Sequence, residues 1–153
     1  MTKNLEEFDR VYRSEETFTG FFDLRTTNYA GGLGSGDVMD SDFMGRVFEN
    51  CLILGGDFAS GIFNDCTFNN CIFLESALVG CNFENCSFKK TEFLNIQISL
   101  SIGGIKACKV EGLSISNMSP FEDVLRFAKK TVFGESGFDN YGKISRGPPL
   151  LNF

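Results

Sequence analysis

Six cysteines are the most reactive side chains in this 153-residue chain, and four of them fall in pairs, Cys66-x4-Cys71 and then Cys81-x4-Cys86. Thiols at short, repeated spacing are the raw material of a metal centre or a disulfide framework. The chain has no histidine. The commonest general base and metal ligand is therefore missing, and no Ser–His or Cys–His nucleophile can be assembled. The glycine-rich run AGGLGSGD at 30–37 suggests a phosphate cradle, but the Lys-Ser/Thr of a P-loop does not follow and no strand–helix pattern surrounds it. The carboxylates fall mostly on polar, outward places. No catalytic residue, metal ligand or cofactor is assigned, and an enzyme is not expected.

What positions these residues is a rhythm of five. From Asn50 to Asn95 the chain reads CLILG, GDFAS, GIFND, CTFNN, CIFLE, SALVG, CNFEN, CSFKK, TEFLN. The middle place is always apolar: Ile53, Phe58, Phe63, Phe68, Phe73, Leu78, Phe83, Phe88 and Phe93. Two places earlier stands a small residue, and the last place favours turn formers or charges. Leu33, Val38, Phe43, Phe48 and Ile98 extend the series. Neither a helix of period 3.6 nor a strand of period 2 keeps one residue class on one side at period five. A chain that turns a corner every five residues does.

This pattern resembles the pentapeptide-repeat family, whose blocks hold a small residue, a polar residue and an apolar centre followed by two variable places. The resemblance runs from Gly31 to about Ile98, with a shifted remnant to Ile115. It implies an all-β solenoid, a right-handed quadrilateral β-helix with four blocks per coil, in which centres and small residues point inward. Phe43, Phe48, Phe58, Phe63, Phe68, Phe73, Phe83, Phe88 and Phe93 would then form the core ladder. Coils stacking at ~4.8 Å place Phe43, Phe63 and Phe83 in one column and Phe48, Phe68 and Phe88 in the next. The centres make slightly more than four coils. In that register Cys51, Cys66, Cys71, Cys81, Cys86 and Cys108 all take the small inward place that Gly, Ser and Thr fill elsewhere, which reads better as buried reduced thiols than as ligands or disulfides.

The organisation that follows is an N-terminal cap over 1–30, a solenoid over 31–116, and a C-terminal capping helix with a tail over 117–153. Asn4 to Tyr12 reads as a short helix capped by Asn4. Ser14 to Tyr29, with Phe18, Phe21, Phe22 and Leu24 too close for the beat, reads as a cap over the first coil. Past Ile98 the centres slip to Ile105, Val110 and Ile115, so two extra residues bulge within 99–104. Ser119-Pro120-Phe121-Glu122 is a capping box that starts a helix to about Lys130, presenting Phe121, Val124, Leu125 and Ala128 on one face and closing the last coil. The tail from Gly134 ends in the apolar PPLLNF.

The outward places sort into faces. Beside centres 53, 73 and 93 stand Leu52, Leu54, Ile72, Leu74 and Leu94, and Val79 adds to them from the next face. Such an apolar patch marks an interface with a partner or another copy, or is covered by the chain's own termini. Asp42, Asp65 and Glu84 stud the face on centres 43, 63 and 83, as a candidate imitation of a phosphate backbone or an ordinary solvated wall. The net charge is −6, with −4 in residues 1–40, −3 in 41–115 and +1 beyond; this argues against direct nucleic-acid binding. No apolar run reaches membrane-spanning length, and the charged N-terminus is unlike a signal peptide, so a cytoplasmic protein is expected.

The expected function is a non-enzymatic protein-interaction module, presenting a rigid solenoid face to a partner of unknown identity or to its own copy as a homodimer. The alternative, implied by the resemblance, is a DNA mimic that inhibits or protects a DNA-handling enzyme such as a type II topoisomerase, or that counters a host nucleic-acid-binding defence complex. The short solenoid and the interruption by Lys89 and Lys90 depart from that pattern.

Overall fold

The computed structural model describes residues 2–25, 38, 40–116, 125–126, 128–129 and 132–133, apart from the side chains of 97–104 and 116. The glycine-rich run, the side chain of Ile98, the capping box with Phe121 and Val124, and the tail ending in PPLLNF lie outside the described residues.

The five-residue rhythm is written into the backbone as a sign change. Asp40, Gly45, Asn50, Gly55, Ser60, Asp65, Asn70, Glu75, Gly80, Asn85, Lys90 and Asn95 all hold φ between 49° and 78°. This left-handed region is hostile to most L-residues and most open to Gly, Asn and Asp, the types that dominate these places. Each such residue bends the chain two steps past an apolar centre. At two corners the bend is closed as a β-turn, Arg46 N–H donating to Phe43 O at 3.0 Å and Gly61 N–H to Phe58 O at 2.8 Å.

Four corners return the chain above itself, so strands pair in parallel with the strand twenty residues on. The strands are β1 (Thr2–Lys3), β2 (Phe18–Asp23), β3 (Val47–Leu54), β4 (Thr67–Leu74), β5 (Ala77–Glu84), β6 (Ser87–Leu94), β7 (Gln97–Lys106) and β8 (Lys109–Ser116). One six-stranded sheet runs β1-β2-β3-β4-β6-β8, and β5-β7 form a second. Phe48 pairs with Phe68 and Phe68 with Phe88. Between β5 and β7 the offset changes: Val79 lies beside Ser99, but Phe83 beside Ile105. The two extra residues are absorbed there, and β6 meets β8 at the new offset, Ser87 beside Lys109.

The rings stack because the backbone spaces them. Phe43, Phe63 and Phe83 lie face to face at 4.7 and 4.8 Å, tilted by 8° and 11°. Phe18, Phe48, Phe68 and Phe88 form the second column, at 4.5, 4.9 and 5.0 Å. These distances match the ~4.8 Å strand repeat. All nine phenylalanines of the expected ladder are at most 1% exposed.

The N-terminal segment is more than a cap. β2 joins the ladder, with Phe18 under Phe48 and Phe22 under Ile53, so the solenoid has about five turns instead of slightly more than four. The four-residue step from Phe18 to Phe22 is accommodated by a register shift before Gly20, which has φ +96°. The helix α1 (Leu5–Ser14) begins where Asn4 Oδ1 accepts the Glu7 N–H at 3.0 Å and stops at Glu15, φ 56°. Its Leu5, Phe8 and Val11 are buried, and Phe8 touches Phe18, Phe22, Phe43 and Phe58. The helix stoppers the open end of the aromatic core.

Candidate functional site

Four walls enclose the core, named here by their centres: wall A on Phe43, Phe63 and Phe83, wall B on Phe48, Phe68 and Phe88, wall C on Ile53, Phe73 and Phe93, and wall D on Phe58 and Leu78. Wall C carries the predicted apolar patch. Its Leu52, Leu54, Ile72, Leu74 and Leu94 are at most 1% exposed, in one cluster with Ala128 and Val132 and with partly buried Phe21 and Leu125. Leu125, Arg126, Ala128, Lys129, Val132 and Phe133 are helical. The Asn70 amide donates to Val132 O at 3.1 Å, and the Lys129 ammonium stands 5.3 Å from the Phe21 ring.

This packing selects one of the two readings of the patch, cover by the chain's own C-terminal residues, and places the described part of the expected capping helix. The five aliphatic residues are a second core, not an open interface; outward side chains on a wall say nothing of what the chain later lays over them. The described helical residues lie along wall C and not over the end of the tube. Of the predicted patch only Val79, on wall D, stays outside, 42% exposed.

Wall A, opposite, is bare among the described residues. Asp42, Asp65 and Glu84 are exposed, beside Met44 (53%) and Ile62 (37%). Side-chain oxygens on this wall accept hydrogen bonds from backbone and side-chain N–H groups. Asp42 Oδ1 accepts the Met44 N–H at 3.0 Å, Asp65 Oδ1 the Asn85 amide at 2.7 Å, and Asn64 Oδ1 the Glu84 N–H at 3.0 Å. Lys106 is the register neighbour of Glu84, so a cation closes the acidic wall at its upper coil.

No protein-family model matches this chain, and no curated protein matches it.

The small inward places hold a second ordered set. Cys66 Sγ donates to Phe43 O at 2.9 Å, Cys81 Sγ to Phe58 O at 3.0 Å and Cys86 Sγ to Phe63 O at 2.8 Å. The Thr91 hydroxyl makes the equivalent bond to Phe68 O at 3.4 Å, and Cys108 Sγ reaches Phe83 O at 2.9 Å. A donor short enough for the corner satisfies the carbonyl of the centre one coil below. That explains the interchange of Cys with Thr in the sequence. Burial pushes the Cys66 and Cys71 thiols up to about 12 and Cys81 to about 11; Cys51 and Cys86 are raised in the same direction. These sulfurs are protonated at neutral pH and are not nucleophiles there. All six cysteines are free. The x4 pairs of the sequence lie on different corners; the thiols brought together are those one coil apart.

One residue with no counterpart in the sequence reading is Arg46, only 8% exposed. Its guanidinium donates to Val11 O at 2.9 Å, Tyr12 O at 3.0 Å and Glu16 O at 2.7 Å, and lies 4.8 Å over the Phe18 ring. The available signal was a long cation in the place that holds only small residues from Cys51 to Thr91. A cavity of about 640 Å³ lies at the corner between walls B and C, lined by Asn69, Asn70, Lys90, Glu92 and Ser114 among others.

Proposed function

We propose that this chain is a cytoplasmic, non-enzymatic binding module of the pentapeptide-repeat type, which docks a basic protein partner on wall A. The observation that carries the reading is the contrast between opposite walls. Wall C is sealed by the chain's own helical residues, while wall A keeps three acids and two large apolar side chains in water. A hydrogen-bonded strand wall presents such groups with little ordering cost on binding. The free thiols fit a reducing compartment.

The DNA-mimic reading is weaker on magnitude. A duplex carries about one charge per 1.7 Å of axis, so two coil steps of ~4.8 Å would call for about six charges. Wall A offers three, with Lys106 beside the third.

The test is affinity capture from the native host with wild-type protein and with the Asp42→Lys/Asp65→Lys/Glu84→Lys variant. A partner held by the wild type and lost by the variant, with circular dichroism unchanged, supports wall A. Equal capture by both would sink it. If captured enzyme is instead displaced by duplex DNA with a steep salt dependence, the mimic reading takes its place.

A further inference from the structure

We propose that Cys86 and Cys108 form a two-coordinate site for a soft monovalent cation of the Cu(I) and Ag(I) class. Cys86 Sγ sits on Phe63 O at 2.8 Å and Cys108 Sγ on Phe83 O at 2.9 Å. Phe63 and Phe83 are successive members of one column, their rings 4.8 Å apart. The sulfurs therefore stand about one coil step, ~4.8 Å, from each other. Cys108 Sγ also lies 3.4 Å from the Cys86 N–H, which fixes it above that residue.

That separation decides between the two chemistries open to a thiol pair. A disulfide needs sulfurs ~2.05 Å apart, and the ladder opposes such closure: Ser87 is paired with Lys109, and Lys109 N–H donates to Cys86 O at 2.8 Å. A linear ion bonded to both sulfurs spans two metal–thiolate bonds, ~4.6 Å on the ~2.3 Å scale of zinc–thiolate bonds, and fits with little movement. Thiolate donors select soft ions such as Cu(I). Among the described residues no group of three or more His, Cys, Asp or Glu is placed to hold a metal, which disfavours four-coordinate ions; a linear ion needs two donors.

Access and charge agree. Cys108 is half-buried where the other five thiols are buried. A cavity of about 470 Å³ adjoins the pair, lined by Asp65, Cys66, Asn85 and Lys109 as well as both cysteines. Binding replaces two S–H bonds by two S–metal bonds and releases two protons to solvent, with no change of oxidation state. The bis-thiolate complex carries one net negative charge, and Lys109 is among the residues that line the same cavity. Cys66 stands below Cys86 by the same pair of bonds, and Cys51 and Cys71 are register partners one coil apart, but all of these are buried where Cys108 is not; Cys51 and Cys71 supply an internal control.

The experiment is anaerobic titration of the reduced full chain with Ag(I) alone, followed by native mass spectrometry and the ultraviolet thiolate-to-metal band. One ion per chain is expected, with two protons released. Cys108→Ser and Cys86→Ser should each abolish that step, and Cys51→Ser should leave it intact. Serine keeps the hydroxyl donor, as Thr91 does on its corner. As a readout without substitution, bound Ag(I) should protect Cys108 from iodoacetamide. No uptake, uptake unchanged in Cys86→Ser, or equal loading at Cys51 and Cys71 would each overturn the proposal.

Discussion

The small inward place asks a side chain to be short and to donate one hydrogen bond downward, and thiol and hydroxyl meet both demands. Because burial raises the thiol pKa, the folded chain keeps protons that the unfolded chain releases. Stability from these groups is complete below the ordinary value of 9.0 and drains away as pH climbs toward about 12 at Cys66 and Cys71. Urea midpoints measured from pH 7 to pH 11 should fall. The Cys66→Ser/Cys71→Ser variant should fall less steeply, since serine has no proton to lose in that window. Parallel profiles for the two proteins would show that other groups govern the alkaline limit.

At the scale of elements, α1 is fastened to the tube by Arg46, which satisfies carbonyls at the end of the helix and just beyond, at Val11, Tyr12 and Glu16. A cation at a helix C-terminus also opposes the helix dipole. Arg46→Met keeps an apolar stem over Phe18 but removes every guanidinium donor; Val11 O and Tyr12 O keep the Glu16 and Glu15 N–H bonds, while Glu16 O loses its partner, at a cost of about 1–3 kcal/mol. Hydrogen exchange should quicken across Leu5–Ser14 more than across β4 or β6; uniform quickening would mean that the clamp serves the whole fold. This contact marks where sequence reading stopped. The stacked columns, the Asn4 cap and the slip before Ile105 were legible because each follows from a local period or a local hydrogen bond. Arg46 was not, because its partners lie 30 to 35 residues away. The same limit hid the pairing of Cys86 with Cys108, set by a coil step and a bulge and not by spacing along the chain.

At the scale of the whole molecule, the described residues form two hydrophobic cores, a tube of rings and a seam between wall C and the helical residues. The seam was half legible: Leu52, Leu54, Ile72, Leu74 and Leu94 announced a covered or covering surface, but periodicity names no occupant. Ala128 is fully buried in that seam, so Ala128→Glu would drive a carboxylate against aliphatic side chains at a cost of about 2 kcal/mol or more. Expected readouts are a lower Tm, increased binding of a hydrophobic dye, and concentration-dependent association on gel filtration as wall C is uncovered. A monomer with unchanged dye binding would show that the seam contributes little.

The corners carry one more implication. Ser60, Glu75, Lys90 and Ala107 hold φ between 50° and 61° without being glycine, asparagine or aspartate. That is the hand of backbone that mirror-image amino acids adopt at rest. A chemically synthesised chain with D-alanine at these points would bend where it must without effort, and its turns would close more readily than nature's own.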